Sequence, residues 1–331
     1  MTIDFKNVYI NYRSTVAGPY EKKGPLGNKF DKTYNDLYNN ENSWEKAEVS
    51  MLKDSLDILL KKAKKKKQDI DLVVSGDLLN QIATSSYAVN GIPASFLGIY
   101  GACSTYCEGI IISSVMIDNN YAKNCISATS SHNMSSEKQF RNPTEYGAPK
   151  PKTATFTATG GACLYFSNEK DKVKVESATI GEIVDMGQND PLHMGAAMAP
   201  AAAKTIFNHL QDKNRTIDDY DLILTGDLGL YGKEILIDYM KSEYGLDISS
   251  KYNDCGTMLY NLNEQKEVLA GGSGPVCSAL VSNAYILKML EEKRLNRILL
   301  VATGALFNPT FVYQKENILA IAHAVSLEAV K

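Results

Sequence analysis

Tryptophan, histidine, arginine and cysteine are all scarce in this sequence: one, four, five and six residues in a chain of 331. The six cysteines (103, 107, 125, 163, 255 and 277) are dispersed and mostly embedded in apolar runs, which suits free thiols in a reducing compartment. Cys103 and Cys107 stand four apart, but no second pair at metal spacing accompanies them, so the sequence predicts no zinc site. The glycine-lysine pattern of a phosphate-binding loop is missing, and nothing else asks for a cofactor. With 35 basic residues against 38 acidic the formal charge is −3, and no basic stripe with interleaved aromatics suggests a nucleic-acid groove. No apolar run reaches the ~18 residues of a membrane span. The first residues, MTIDFKNVYINYRS, lack a charged segment followed by an apolar one. The expectation is a soluble chain, at most peripheral to a membrane.

What is present is an internal repeat. Asp69 to Leu78 (DIDLVVSGDL) recurs as Asp219 to Leu228 (DYDLILTGDL), with six of ten positions identical at an offset of 150. Farther on, Cys103-Ser104 lines up with Cys277-Ser278 and Ala128-Thr129 with Ala302-Thr303, both at an offset of 174. The chain therefore reads as two halves, 1–170 and 171–331. Each runs amphipathic helix, buried strand ending in GDL, variable loop, glycine turn, apolar helix, and a strand ending in Ala-Thr. The second half carries a longer loop at 239–261. Before the first repeat, Asn42 and Glu45 have capping-box spacing, and Leu52, Leu56, Leu59, Leu60 and Ala63 share one helix face. That helix ends in Lys61, Lys62 and Lys64 to Lys67, a solvated last turn or a patch for anionic lipid. Two polar segments stand outside the repeat, 11–42 and 130–152, the second with three prolines.

Several side chains carry candidate chemistry. Cys103, in GIYGACST before an apolar run, sits where free amide groups and a helix dipole favour a thiolate; the alternative is an ordinary buried thiol. Asp77 and Asp227 end equivalent strands, where turn capping is the default and contact of Asp227 with calcium the alternative. Arg141 is either a bidentate carboxylate clamp or a solvated loop residue. His209 reads as a surface helix residue and His193 as a loop residue. His132 and His323 each have a core or surface role as the alternative to facing Cys103.

Two βα-rich halves, GAC-S/T, TATGGACLYFS and GGSGPVCS fall in the order of the thiolase superfamily, which includes the ketoacyl synthases, and nearly the whole chain resembles it. The resemblance implies a five-layered αβαβα sandwich whose two central helices bring their N-termini to one pocket, with Cys103 at the nucleophile's place. Two departures stand out. Type III ketoacyl synthases carry His-Gln-Ala-Asn after the strand matching DLILTGDL, where this chain has Gly226-Asp227-Leu228-Gly229. Their Gly-Asn-Thr-Ser turn is replaced by Gly271-Gly272-Ser273-Gly274. Loss of such oxyanion donors costs ~10²–10³ each in rate, which points to a pseudoenzyme. The alternative is an acyl transferase in which Cys103 forms a thioester and His132 or His323 supplies the base.

GACSTYCEG, ATSSHN, EKQFRNPTEYG and MGAAMAPAA are similar to one sporulation branch of that superfamily. This closer resemblance implies binding of dipicolinic acid (pyridine-2,6-dicarboxylate), alone or as its calcium chelate, during its movement into the forespore. It implies partners among the stage V sporulation A proteins and a place on the inner spore membrane; a homodimer is usual in the superfamily. Helix N-termini suit carboxylates as well as oxyanions. The expected ligand contacts are therefore Cys103, Ser104, His132, Arg141, Asp227, Gly272, Ser273 and His323.

Overall fold

The computed structural model describes residues 1–140 and 149–330. Ten strands form its main hydrogen-bonded path: β1 (Tyr9–Ala17), β2 (Leu72–Gly76), β3 (Ser95–Gly98), β4 (Asn124–Ser131), β5 (Gly160–Ser167), β6 (Val173–Thr179), β7 (Leu222–Thr225), β8 (Tyr252–Asp254), β9 (Arg297–Ala305) and β10 (Ala320–Ala329). Their order is β3-β2-β4-β5-β1 followed by β6-β10-β9-β7-β8. Read inward from its own edge, the second run (β8-β7-β9-β10-β6) repeats the chain order of the first, with the outer three strands parallel and the inner two antiparallel to each other. The runs meet where Tyr9 and Ile10 of β1 pair antiparallel with Lys174 and Val173 of β6.

Burial follows from this arrangement. β2 and β4 are buried at every position, as expected of strands covered on both faces. The helix Trp44–Ala63 packs on the outer face of the first run and Met194–Asp212 on that of the second. Between the runs lie Thr105–Asp118 and the continuous helical stretch 275–291, giving the five layers. Thr105–Asp118 has buried residues on all sides because it touches strands of both runs. The stretch 275–291 carries a π-turn over Ser282–Ile286. Inside that turn Asn283 accepts from the Tyr106 hydroxyl at 2.6 Å and donates to the carbonyls of Ser14 and Cys163 at 3.3 and 3.1 Å. One amide thus ties the second central helix to the first and to β1 and β5, a use of an irregular turn that π-bulges often serve.

The local signals differ from the structure at three places. The expected loop at 239–261 holds the end of the helix Gly229–Tyr244, strand β8 and the helix Cys255–Leu259. The cap of the helix Trp44–Ala63 is Ser43, one residue after Asn42, and its hydroxyl accepts the Lys46 amide at 3.3 Å. The segment 130–152 contains a helix, Asn133–Phe140, rather than loop throughout. Ser135 bonds Glu48 at 2.7 Å, Lys138 pairs with Glu45 at 2.6 Å and Gln139 donates to the Leu78 carbonyl at 2.6 Å, so side chains of other elements hold it in place.

Candidate functional site

The C-terminal ends of the parallel strands place the site, as they do in open α/β sheets generally. After β3 the chain turns through Ala102, whose φ of 51° is unusual for a non-glycine residue, and delivers Cys103 just ahead of the helix Thr105–Asp118. The turn satisfies itself: the Ser104 hydroxyl donates to the Gly101 carbonyl at 2.6 Å, and Thr105 Oγ1 donates to the Ala102 carbonyl at 2.7 Å. Cys103 keeps 8% of its surface exposed while the other five cysteines keep at most 1%, so it alone of the six reaches a cavity.

Asp227 follows β7 and brings its carboxyl beside the Cys103 thiol from the other run. Its Oδ1 accepts the Thr303 hydroxyl at 2.8 Å from β9, and its Oδ2 accepts the Gly274 amide at 3.0 Å. Gly274 heads the helix Pro275–Val281 with φ 93°, and a Cβ there would come within 2.8 Å of the Ser131 hydroxyl. The amide that opens the second central helix therefore points at a carboxylate already. Burial pushes the Asp227 carboxyl up to about 7. Burial and then the Asp227 charge hold the Cys103 thiol well above its ordinary range. The pair is two acids sharing a dry site, not a nucleophile beside a base.

The expected contacts divide. Cys103, Asp227 and Ser273 come together, with Ser273 on the cavity wall opposite the Cys103 turn. Ser104 caps its own turn, and Gly272 packs where a Cβ would stand 2.8 Å from the Cys277 sulfur, so neither lines the cavity. His132 is fully buried; its Nδ1 accepts the Met134 amide at 3.2 Å and its Nε2 donates to the Leu37 carbonyl at 2.8 Å. His323 Nδ1 accepts the Gly181 amide at 3.1 Å. Burial pulls both imidazoles down to about 4, so both are neutral and engaged away from Cys103. His209, expected at the surface, is buried between the Thr179 and Tyr220 hydroxyls, each at 2.7 Å. Asp77 takes the default role, accepting the Leu79 and Ser85 amides at 2.9 and 2.7 Å. Arg141 lies outside the described residues. Among those residues no group of three or more His, Cys, Asp or Glu could hold a metal ion.

The cavity at Cys103 measures about 40 Å³ and is also lined by Tyr100, Glu137, Phe140 and Phe307. That is room for water, far below the ~300–1,000 Å³ of small-molecule sites. In this conformation that volume admits no pyridine ring. Sequence reasoning missed Glu137, Phe140 and Phe307, which lie in segments without apolar periodicity. Thr303 was visible only as a landmark of the repeat.

Strand order, buried central helices and a cysteine at a helix start define a thiolase-like protein. Solved structures agree: a variant of OleA from Xanthomonas campestris aligns at TM-score 0.64 with 13% identity, covering 98% of this chain and 99% of that one. Cerulenin-bound OleA aligns at 0.63 with 13% identity, covering 98% and 97%. Residues 1–328 match the family described as Stage V sporulation protein AD. Stage V sporulation protein AD of Bacillus subtilis (strain 168) is 48% identical over 321 residues, spanning 97% of this chain and 94% of its own. The chain belongs to the stage V sporulation protein AD family.

Proposed function

We propose that this chain is a non-catalytic, thiolase-like binding protein that takes up dipicolinic acid, alone or as its calcium chelate, for delivery to the developing spore. The observation that carries the non-catalytic part is Asp227 beside Cys103. Acyl transfer needs a thiolate and donors for a developing oxyanion. Here burial and then a neighbouring carboxyl raise the thiol's pKa, the Gly274 amide is committed to that carboxyl, and His132 and His323 are turned to backbone partners. A negative charge forming at this point would meet Asp227 rather than a donor.

Family membership supports a role in sporulation, and the chelate fits the charge of the molecule better than the free acid does. The formal net charge of −3 disfavours a free dianion, and a bound calcium offsets the ligand's charge. The ligand's own nitrogen and carboxylates fill most of the metal's coordination, so a ready-made cluster of protein ligands is not required. Partners on this reading are the other stage V sporulation A proteins at the forespore inner membrane, with the chain on the membrane surface or paired as a homodimer. No helix among the described residues is long and apolar enough to cross a membrane.

Intact-mass spectrometry after incubation with acetyl-CoA or malonyl-CoA tests the chemistry, and no adduct on Cys103 is expected. A near-stoichiometric thioester that disappears in Cys103→Ser would overturn the non-catalytic reading. Calorimetric titration with dipicolinate, with and without calcium, tests the ligand; heat of saturable binding is expected, and its absence in both sinks that part.

A further inference from the structure

The end of the sheet remote from Cys103 carries a charge pattern of its own. Strand pairing runs along it from Asn124 through Ser167, Tyr9, Lys174 and Glu328 to Arg297. The lysine run that follows the helix Trp44–Ala63 reaches the same end, because Asn124 Nδ2 donates to the Asp69 carbonyl at 2.9 Å and Asp71 accepts the Lys123 amide at 2.8 Å. The helix Thr105–Asp118 starts beside Cys103 and emerges here, roughly 20 Å away at 1.5 Å per residue. At its foot Tyr121 is 74% exposed.

Acids and bases at this end are spent differently. Asp69 accepts the Lys66 amide at 2.7 Å, Asp219 the Thr216 amide at 2.8 Å, and Asp221 the Asn296 and Arg297 amides at 2.5 and 3.2 Å, so these carboxylates turn onto the backbone. Glu328 bonds Arg297 Nε at 2.7 Å, and Asp218 pairs with Lys251 at 3.2 Å; Glu169 has no ion pair among the described residues. The ammonium groups of Lys64, Lys65, Lys123, Lys170, Lys174 and Lys293 take neither a hydrogen bond nor an ion pair among those residues. Lys170, Lys174 and Lys293 line one hollow of about 670 Å³. A chain of formal charge −3 thus presents six unspent positive charges at one end, and a one-sided distribution of this kind steers binding even when the net charge has the other sign.

We propose that this end of the sheet rests on an anionic lipid surface, with the six lysines against headgroup phosphates and Tyr121 at the level of the headgroups. Clustered lysines bind anionic leaflets, and exposed tyrosines settle at the membrane–water interface. A nucleic-acid groove would ask for a series of aromatics to stack on, whereas here one tyrosine stands among six lysines. The placement rests on the membrane-surface reading above and adds an orientation to it: the strand ends that carry Cys103 and Asp227 face away from the lipid. The test is sedimentation of the whole chain with vesicles of equal parts phosphatidylglycerol and phosphatidylcholine, against vesicles of phosphatidylcholine alone. Two triple variants remove the charge, Lys64→Gln/Lys65→Gln/Lys123→Gln and Lys170→Gln/Lys174→Gln/Lys293→Gln. The control, Lys46→Gln/Lys152→Gln/Lys315→Gln, makes the same charge change at exposed residues away from this end. Circular dichroism checks that all three are folded, as expected where no ammonium at this end has a partner to lose. The wild type is expected on the anionic vesicles alone, each of the first two variants to partition about tenfold less or weaker still, and the control to lose about twofold or less. No wild-type binding to the anionic vesicles, equal binding to both compositions, an undiminished lysine variant, or a control loss matching the other two overturns the docking face. Each of those outcomes leaves recruitment by partner proteins and the dipicolinate reading standing, since dipicolinate calorimetry is read without lipid.

Discussion

Above pH 7 an ionised carboxylate at Asp227 stands against the Cys103 thiol, because burial brings that carboxyl only to about 7. A like charge this close holds a neighbouring acid's pKa up by about one unit or more. Asp227→Asn keeps the shape and removes the charge, so the thiolate fraction of Cys103 rises. Alkylation of Cys103 by iodoacetamide at pH 8, followed by peptide mass spectrometry, is expected to run about tenfold faster or more in that variant. An unchanged rate would mean that access, not charge, limits the thiol. The pairing itself was not legible in the sequence: Cys103 and Asp227 are distant along the chain, and only the crossing of two strand ends puts them together. What the residues did show was Gly226-Asp227-Leu228-Gly229 in a place where the resemblance to type III ketoacyl synthases would lead one to expect His-Gln-Ala-Asn.

The helix Trp44–Ala63 was readable from its length and apolar stripe, and the GDL and Ala-Thr strands from short apolar runs that recur in both halves. The helix Asn133–Phe140 was not, since NMSSEKQF has no apolar stripe and is held by Glu48, Glu45 and the Leu78 carbonyl instead. Cap and turn energetics follow. Ser43→Ala removes the hydroxyl that accepts the Lys46 amide and is expected to cost about 1 kcal/mol in urea unfolding. Gly274→Ala is expected to cost more, about 1–3 kcal/mol, because a side chain at φ 93° is strained and its Cβ meets Ser131. It should also loosen the Asp227 contact, read as faster alkylation of Cys103. A Gly274→Ala protein as stable as wild type would show that the turn relaxes without penalty.

Across the whole molecule, His132, His209 and His323 are buried neutral, each drawn by burial to about 4 from an ordinary 6.5. A lowered histidine pKa means that the unfolded chain binds more protons between pH 6.5 and 4. The stability these residues lend is full above 6.5 and declines as the pH falls through that window. At ~1.4 kcal/mol per unit, His209→Gln should flatten the acid limb of a stability-against-pH curve by up to about 3 kcal/mol. An unaltered limb would place the acid sensitivity elsewhere. The π-turn at Asn283 carries a different consequence, one of timing. Strands β1 and β5 offer the carbonyls of Ser14 and Cys163 to an amide that lies more than a hundred residues farther along. At ~5–20 residues per second, the ribosome finishes the first sheet on the order of ten seconds before it supplies the helix that covers it. During that interval the nascent chain shows bare apolar surface, so its yield in the cell depends on what shields the unfinished half until translation passes residue 291.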